Sequence, residues 1–251
     1  FKDNKVTGLV DWEVAHFGDA MEDLATIAIR DMATPIGDLK VRFQEYQDHS
    51  GIELDINVVA YYRVLILTRN SLFISLGLKY PPPEFDSLEM LRFQALLMRA
   101  AAICIADIAG HIRPTHSEHQ TREAPRTITQ MANAATSCLN SSVKSKLTTE
   151  FSINSANQIE LAIENILYEI GITHSVDLDE ISAINLLLDS CFGETETARS
   201  ALTAFIASDE AQLGRHDDKL IRYLVSHTMR LTERRQVLMG DLFGRFPQAL
   251  N

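Results

Sequence analysis

The sequence has 251 residues, of which 46% are hydrophobic, and a formal net charge of −11. The apolar content is that of an ordinary globular protein able to bury a core without disulfides, and the negative charge excludes general binding to nucleic-acid phosphates. The most apolar stretch, residues 95–108, is interrupted by Arg99 and Asp107, so a membrane-spanning helix is not expected.

The cysteine content indicates the redox environment of the protein. Cys104, Cys138 and Cys191 are far apart and lie in apolar helical contexts. An odd, scattered set of cysteines forms neither a disulfide framework nor a common metal site. We therefore predict buried free thiols and a reducing, cytoplasmic location.

The first segment is predicted to form one short strand or hairpin. Residues 6–10 are apolar and β-branched, and they follow a charged turn at residues 2–5. The chain opens with Phe1 in the middle of this element, which indicates a fragment of a longer protein.

Helical spacing dominates the rest of the first part of the chain. Apolar residues recur every three or four positions in segments 19–31, 56–78 and 87–110, and Asp38 is placed to cap a further helix. Pro81, Pro82 and Pro83 predict an extended break before the last of these helices. Residues 111–125 contain little to bury and are interpreted as an interdomain linker.

Five more helices are predicted after the linker, which together make a helical bundle. Their approximate ranges are 127–138, 154–170, a segment from Asp177 to before Gly193, 194–213 and 217–239. Gly171 is interpreted as the residue that closes the second of them, and Asp177 with Glu180 as the capping box of the third. The predicted fold class is therefore mainly α.

The segment before the first predicted helix contains the candidate metal-binding residues. Asp11 follows the apolar strand, so its carboxylate lies at the strand's carboxyl end, and Glu13 is two residues further on. Two hard oxygen ligands suit Mg²⁺, which takes one or two carboxylates together with phosphate oxygens and water. Gly18 permits a turn, and Asp19 can cap the helix that follows.

The residues Asp11-Trp12-Glu13, Gly18-Asp19 and Asp23-Leu24-Ala25 together resemble the metal-binding segment of the aminoglycoside phosphotransferase and choline kinase-like families. The resemblance implies that Asp11 holds the Mg²⁺ that bridges the phosphates of ATP. It implies that Glu13 is a second metal ligand or an acid on the substrate side. Asp19 and Asp23 are implied to support the site, with Asp23 buried and bracing the catalytic loop.

The resemblance extends more loosely to about Gly110. It implies that residues 1–112 are the C-terminal portion of a phosphotransferase domain, a section of a protein-kinase-like C-lobe, and that residues 122–251 form a separate helical bundle domain. The subgroup it resembles most is related to the kinase domain of certain acyl-CoA dehydrogenase fusion proteins. Those enzymes phosphorylate hydroxyacyl-CoA substrates.

Two parts of the family pattern do not occur in this sequence. Phosphoryl transfer in this family needs a nucleotide-clamping lobe with a lysine, and a His-Gly-Asp loop followed by an asparagine. The resemblance therefore implies no catalytic residue in this chain, which alone is predicted to be inactive. The whole enzyme would transfer the γ-phosphate of ATP to a hydroxyl on a small molecule, with the N-terminal lobe of the same protein as partner.

Several alternatives stay open. One is a non-enzymatic helical interaction or scaffolding module, the remnant of a pseudokinase.

His111, His116 and His119 have a spacing that fits no common zinc pattern. Tyr61, Tyr62 and Phe73 are interpreted as core, with a substrate-pocket role as the alternative. Four arginines make the last helix basic and are assigned either to salt bridges or to an acidic ligand such as a CoA phosphate: Arg222, Arg230, Arg234 and Arg235.

Overall fold

Helices make up most of the chain in the computed structural model, which describes residues 5, 7–8, 16–82, 85–208 and 217–250. The α-helices of these residues are α1 Ala20–Arg30, α2 Leu39–Ser50, α3 Ile56–Lys79, α4 Ser87–Ile108, α5 Arg126–Cys138, α6 Glu150–Leu188, α7 Thr195–Ile206, α8 Asp217–Glu233 and α9 Gln236–Met239. The protein is mainly α, as predicted. Of the predicted strand, only residues 7 and 8 are described, and they are not in a strand.

Aspartates fix the starts of the first four helices. Asp19 Oδ1 accepts a hydrogen bond from the Met21 amide at 2.9 Å, and Asp38 Oδ1 accepts one from Lys40 at 2.9 Å. Asp55 and Asp86 cap α3 and α4 in the same way. Each carboxylate satisfies an amide that the first turn of a helix leaves unpaired. The caps predicted at Asp19 and Asp38 are confirmed.

The core of the first part lies between α1, α3 and α4. Leu24 and Ala25 of α1 are buried with Val59 and Ile66 of α3 in one cluster. A second cluster joins Leu67 of α3 to the α4 residues Leu97, Ala100, Ala101 and Cys104. The apolar faces predicted for α1 and α4 are therefore the faces that are buried.

The two predicted parts of the chain share cores across the linker. Ala102 and Ala106 of α4 are buried against Val225 and Met229 of α8. The last residues also return to the first part, where Leu250 belongs to the cluster of α1 and α3. The boundary between 112 and 122 stays a prediction, and any two domains divided there would share an extensive apolar interface.

The segment between α4 and α5 has no regular secondary structure, which fits the predicted linker. It is nevertheless held against the second part of the chain. The side chain of His119 is 1% exposed, and its Nε2 lies 2.9 Å from Glu233 Oε2. Glu233 Oε1 accepts a hydrogen bond from the Ser117 amide at 3.0 Å. The prediction that this segment has little to bury is therefore wrong at His119.

The helix break predicted at Gly171 is also wrong, because α6 runs without interruption from Glu150 to Leu188. A Cβ at Gly171 would lie 2.8 Å from the Arg122 carbonyl oxygen, so the glycine allows the linker backbone to approach the helix. Asp177 and Glu180 lie inside this helix and do not form a capping box. Their carboxylates pair instead with Arg199 of α7 and with Arg234, which follows α8.

The remaining predictions for helices and cysteines have mixed outcomes. The helix predicted at 194–213 ends at Ile206, and residues 209–216 lie outside the described part. The last predicted helix is divided into α8 and α9. Cys104 is buried as predicted, but Cys138 and Cys191 are exposed. None of the described helices has the combination of length and apolar character that crossing a membrane requires.

Candidate functional site

The predicted magnesium ligands, Asp11 and Glu13, lie outside the described residues. The described part of the same motif begins at His16. Asp19 caps α1 as expected, and Leu24 and Ala25 are buried. Asp23 is exposed in the first turn of α1, so its expected burial is wrong. The role of Asp23 in bracing a catalytic loop stays a prediction.

The start of α1 is tied to α3 by polar contacts. His16 Nε2 lies 3.1 Å from Glu22 Oε2, and Arg69 Nη1 of α3 lies 3.8 Å from Glu22 Oε1. Burial, followed by the charges of Asp19 and Glu22, raises the pKa of Tyr62. The residues that follow the predicted metal segment therefore have a fixed and acidic environment.

An exposed apolar face on α3 adjoins this acidic helix end. Leu72, Phe73 and Leu76 are 61%, 63% and 60% exposed, and they follow Arg69 along the helix. Tyr61 is also exposed, so the interpretation of Tyr61 and Phe73 as core residues is wrong, whereas Tyr62 is half-buried. A contiguous apolar surface of this kind commonly marks an interaction site.

A second candidate site is a polar cavity of about 420 Å³ between α6, α7 and α8. Charged residues predominate in its lining, which consists of Thr173, Val176, Asp177, Glu180, Arg199, His227, Arg230, Leu231 and Arg234. The residues of α6 and α8 recur at spacings of three and four, so each helix presents one face to the cavity.

Two carboxylates of the cavity are paired with arginines. Glu180 forms a close ion pair with Arg199, and Asp177 Oδ1 lies 3.2 Å from Arg199 Nη2 and 3.0 Å from Arg234 Nη2. Burial would raise the pKa of Glu180, but the hydrogen bond and charge of Arg199, with smaller effects of His227 and Arg230, lower it. The charged form of Glu180 is therefore favoured.

Arg230 differs from the other arginines of this cavity. The residue is 7% exposed, and its Nε and Nη2 are buried without a hydrogen-bond partner among the described residues. Its guanidinium lies 5.9 Å from the ring centroid of Tyr223. Desolvation and the charge of Arg230 lower the pKa of the neighbouring His227, which favours its neutral form.

The basic residues predicted on the last helix have different environments. Arg222 Nε pairs with Asp218 at 2.9 Å, and Arg235 Nη1 donates to Gln94 Oε1 at 2.8 Å. The pairs of Arg222 with Asp218 and of Arg234 with Asp177 are the salt bridges that the first interpretation expected, whereas Arg235 bonds a neutral amide. Arg230 alone of these four has its guanidinium buried with unpartnered nitrogens in the described structure.

Sequence reasoning missed most of the cavity. Arg199 and His227 were not singled out, and Asp177 with Glu180 were assigned to a helix start. The usable signal is the spacing of His227, Arg230 and Arg234, which places three basic or titratable groups on one helix face. The sequence does not show which helix that face meets.

The three linker histidines do not form a metal centre. His111 Nε2 lies 3.3 Å from Asp218 Oδ1, while His116 and His119 both contact Glu233. Within the described ranges, no group of three or more His, Cys, Asp or Glu side chains is arranged to hold a metal ion. These histidines act as partners of carboxylates.

Comparisons with known proteins add no assignment to this geometry. No family model, no curated protein and no solved structure matches the chain.

Proposed function

We propose that this chain is the C-terminal part of an ATP-dependent phosphotransferase that phosphorylates a hydroxyl group on a small molecule. The observation that carries the proposal is the residue pattern from Asp11 to Ala25. The described part of this pattern supports the proposal in two respects, because Asp19 caps α1 and Leu24 and Ala25 pack that helix into the core. In the sequence, residues 12–19 separate Asp11 from this packed helix.

In this proposal Asp11 and Glu13 hold Mg²⁺ together with the phosphates of ATP. Their carboxylate oxygens are the donor type that Mg²⁺ prefers. The metal, when bound, neutralises charge on the transferred phosphoryl group. The part of this chain is to position that metal, while activation of the hydroxyl falls to residues of the same protein that this sequence does not contain.

The nucleotide-binding lobe is proposed to pack on the exposed face of α3. Leu72, Phe73 and Leu76 are largely exposed there, and Arg69 of the same helix contacts Glu22 of α1. A lobe seated on this face would lie beside the start of α1, which follows the segment that carries Asp11 in the sequence. A small-molecule acceptor, with hydroxyacyl-CoA as one candidate, would bind between the two.

The test is ATP turnover by the gene product that contains this chain, with a panel of hydroxylated metabolites that includes hydroxyacyl-CoAs. We expect Mg²⁺-dependent turnover with at least one acceptor, and a loss of at least about 100-fold in kcat for Asp11→Asn. Asp241→Asn makes the same chemical change at an exposed position and should leave kcat unchanged. Equal turnover in Asp11→Asn contradicts the role of Asp11.

The alternative function is a non-enzymatic helical interaction module. It is favoured by the absence of His-Gly-Asp from the sequence and by the exposed apolar face of α3. A gene product that contains this chain, folds normally and turns over no ATP with any acceptor would support this alternative over the kinase.

A further inference from the structure

The cavity between α6, α7 and α8 carries a positive charge that its own residues do not balance. Its lining includes three arginines, Arg199, Arg230 and Arg234, and two carboxylates, Asp177 and Glu180. Among these lining residues three positive charges face two negative charges, while Asp179 and Glu233 act on Arg230 from beyond the lining and accept no hydrogen bond from its Nε or Nη2. The excess of positive charge in the lining is local, because the whole chain has a net charge of −11.

The excess charge lies at Arg230. Arg199 is paired with Glu180 and Arg234 with Asp177, whereas two nitrogens of Arg230 are buried and have no acceptor among the residues that the structure describes. An arginine stays protonated at any physiological pH. A buried donor without an acceptor is costly, and more so when it is charged. An anion that reached these nitrogens from the cavity would remove that cost.

The size and walls of the cavity indicate the kind of molecule that would supply the anion. A volume of about 420 Å³ lies within the range of roughly 300–1,000 Å³ typical of small-molecule sites. Val176 and Leu231 contribute apolar surface beside the charged groups. A charged end with an apolar wall suits an organic acid or an organic phosphate better than a bare inorganic ion.

We propose that this cavity binds the anionic end of a small organic molecule, a carboxylate or a phosphate, and that Arg230 is the residue that pairs with it. The planar guanidinium fork matches the geometry of both groups. The lining residues all lie between Thr173 and Arg234. The site is therefore distinct from the one proposed for Mg²⁺ at Asp11, and neither proposal depends on the other.

His227 gives this site a pH dependence. The groups that face it are Tyr223 and Arg230 of α8, Arg234 in the turn after α8, Glu180 of α6 and Arg199 of α7. Burial and the charge of Arg230 lower the pKa of His227. A bound anion opposes that effect and raises this pKa, so by reciprocity an anion of constant charge binds more tightly as the pH falls and His227 gains its proton.

The test is isothermal titration of the full chain with sulfate, inorganic phosphate and acetate, at an ionic strength held constant with sodium chloride. Arg230→Gln is the test variant. Arg222→Gln is the matched control, because Arg222 is on the same helix, exposed, and paired with Asp218 outside the cavity. We expect at least one anion to bind the unchanged chain and Arg222→Gln equally, and Arg230→Gln at least about tenfold more weakly.

The anion that binds identifies the ligand class. Sulfate and phosphate without acetate indicate an organic phosphate, and acetate alone indicates a carboxylate. No binding of any of the three to the unchanged chain, or equal binding to Arg230→Gln, overturns the proposal.

Nuclear magnetic resonance of the His227 ring tests the proposal on the unchanged chain, so this measurement does not depend on whether Arg230→Gln folds. Sulfate keeps a constant charge between pH 5 and 8, so it does not itself titrate in this range. Added sulfate, or acetate where only acetate binds, should raise the pKa of His227 in the unchanged chain. An unchanged pKa at a saturating concentration of the anion that binds overturns the proposal even if Arg230→Gln fails to fold.

Discussion

Glu233 is a buried carboxylate that joins the linker to α8. Its side chain is 0% exposed, and the Ser117 amide and the His119 ring supply its partners at 3.0 Å and 2.9 Å. His116 Nδ1 lies 3.5 Å from the same carboxylate. Burying a carboxylate is tolerated only with partners of this kind. These polar contacts therefore hold the linker against α8, in addition to its covalent connections to α4 and α5.

Replacing Glu233 with alanine tests this anchor. We expect Glu233→Ala to lower the free energy of unfolding by about 3–5 kcal/mol, because removing one member of a buried pair leaves the other uncompensated. Urea denaturation followed by circular dichroism measures the change.

Glu53→Ala is the control for Glu233→Ala, since Glu53 is exposed and should change stability by less than about 0.5 kcal/mol. Similar midpoints for the two variants would contradict the anchoring role of Glu233.

Arg63 shows the same use of a buried charge in the first part of the chain. It is 2% exposed, its Nη1 donates to the Gln248 carbonyl oxygen at 3.0 Å, and its Nε and Nη2 donate to Cys104 Sγ. Burial raises the pKa of the Cys104 thiol, although Arg63 opposes it. Cys104 is thus a structural thiol, whose role is to receive hydrogen bonds from a buried arginine.

At the scale of elements, the continuity of α6 depends on how closely the linker approaches it. The Arg122 amide donates to the Gly171 carbonyl at 2.9 Å, and an added Cβ at Gly171 would meet the Arg122 carbonyl oxygen at 2.8 Å. The second of these contacts is with backbone, which cannot move aside as a flexible side chain can. Gly171 therefore permits the close packing of the linker against α6.

We expect Gly171→Ala to lower the free energy of unfolding by up to about 2 kcal/mol, because overpacking costs roughly 1–3 kcal/mol and the gain in helix propensity returns only about 1. Thermal or urea unfolding measures it. Gly193→Ala is the control, since a Cβ at Gly193 has no heavy atom within 4 Å. A gain in stability at Gly171 would show that the linker does not pack as described.

Sequence reasoning predicted local features of these elements better than long-range ones. Asp19 and Asp38 were predictable as caps, because a cap depends on amides two residues away. Gly171 and the pair Asp177–Glu180 carry the same local pattern that marks a helix end, yet their partners are Arg122, Arg199 of α7 and Arg234 after α8. No spacing rule contains that information.

The same distinction applies to the candidate sites. The pattern around Asp11 could be interpreted because its residues are close in sequence. The polar cavity could not, because Arg199 and His227 meet Glu180 only when α6, α7 and α8 pack. The exposure of Phe73 was likewise unpredictable, since apolar helical spacing normally indicates a buried face.

Over the whole molecule, α4 is the element that connects the two predicted parts. One of its faces contacts α3 through Ala100 and Cys104, and another contacts α8 through Ala102 and Ala106. A helix shared by two cores should couple their stability. We therefore expect both parts to unfold in one cooperative transition.

Met229→Ala tests this coupling. Met229 is 3% exposed in the cluster that joins α8 to α4, so its truncation should cost about 2–5 kcal/mol. Hydrogen exchange followed by mass spectrometry should show equal loss of protection in α3 and α8.

Leu224→Ala, at an exposed position of the same helix, is the control for Met229→Ala and should have little effect. Faster exchange confined to α8 would show that the two parts unfold independently.

The proposed function is tested most directly by exchanging the metal ligand itself. In the gene product that contains this chain, Asp11→Cys replaces a hard oxygen with a soft sulfur, which Mg²⁺ disfavours and Cd²⁺ prefers. We predict that Asp11→Cys loses phosphoryl transfer with Mg²⁺ and regains part of it with Cd²⁺. Full activity of Asp11→Cys with Mg²⁺ would contradict the assignment of Asp11 as the magnesium ligand.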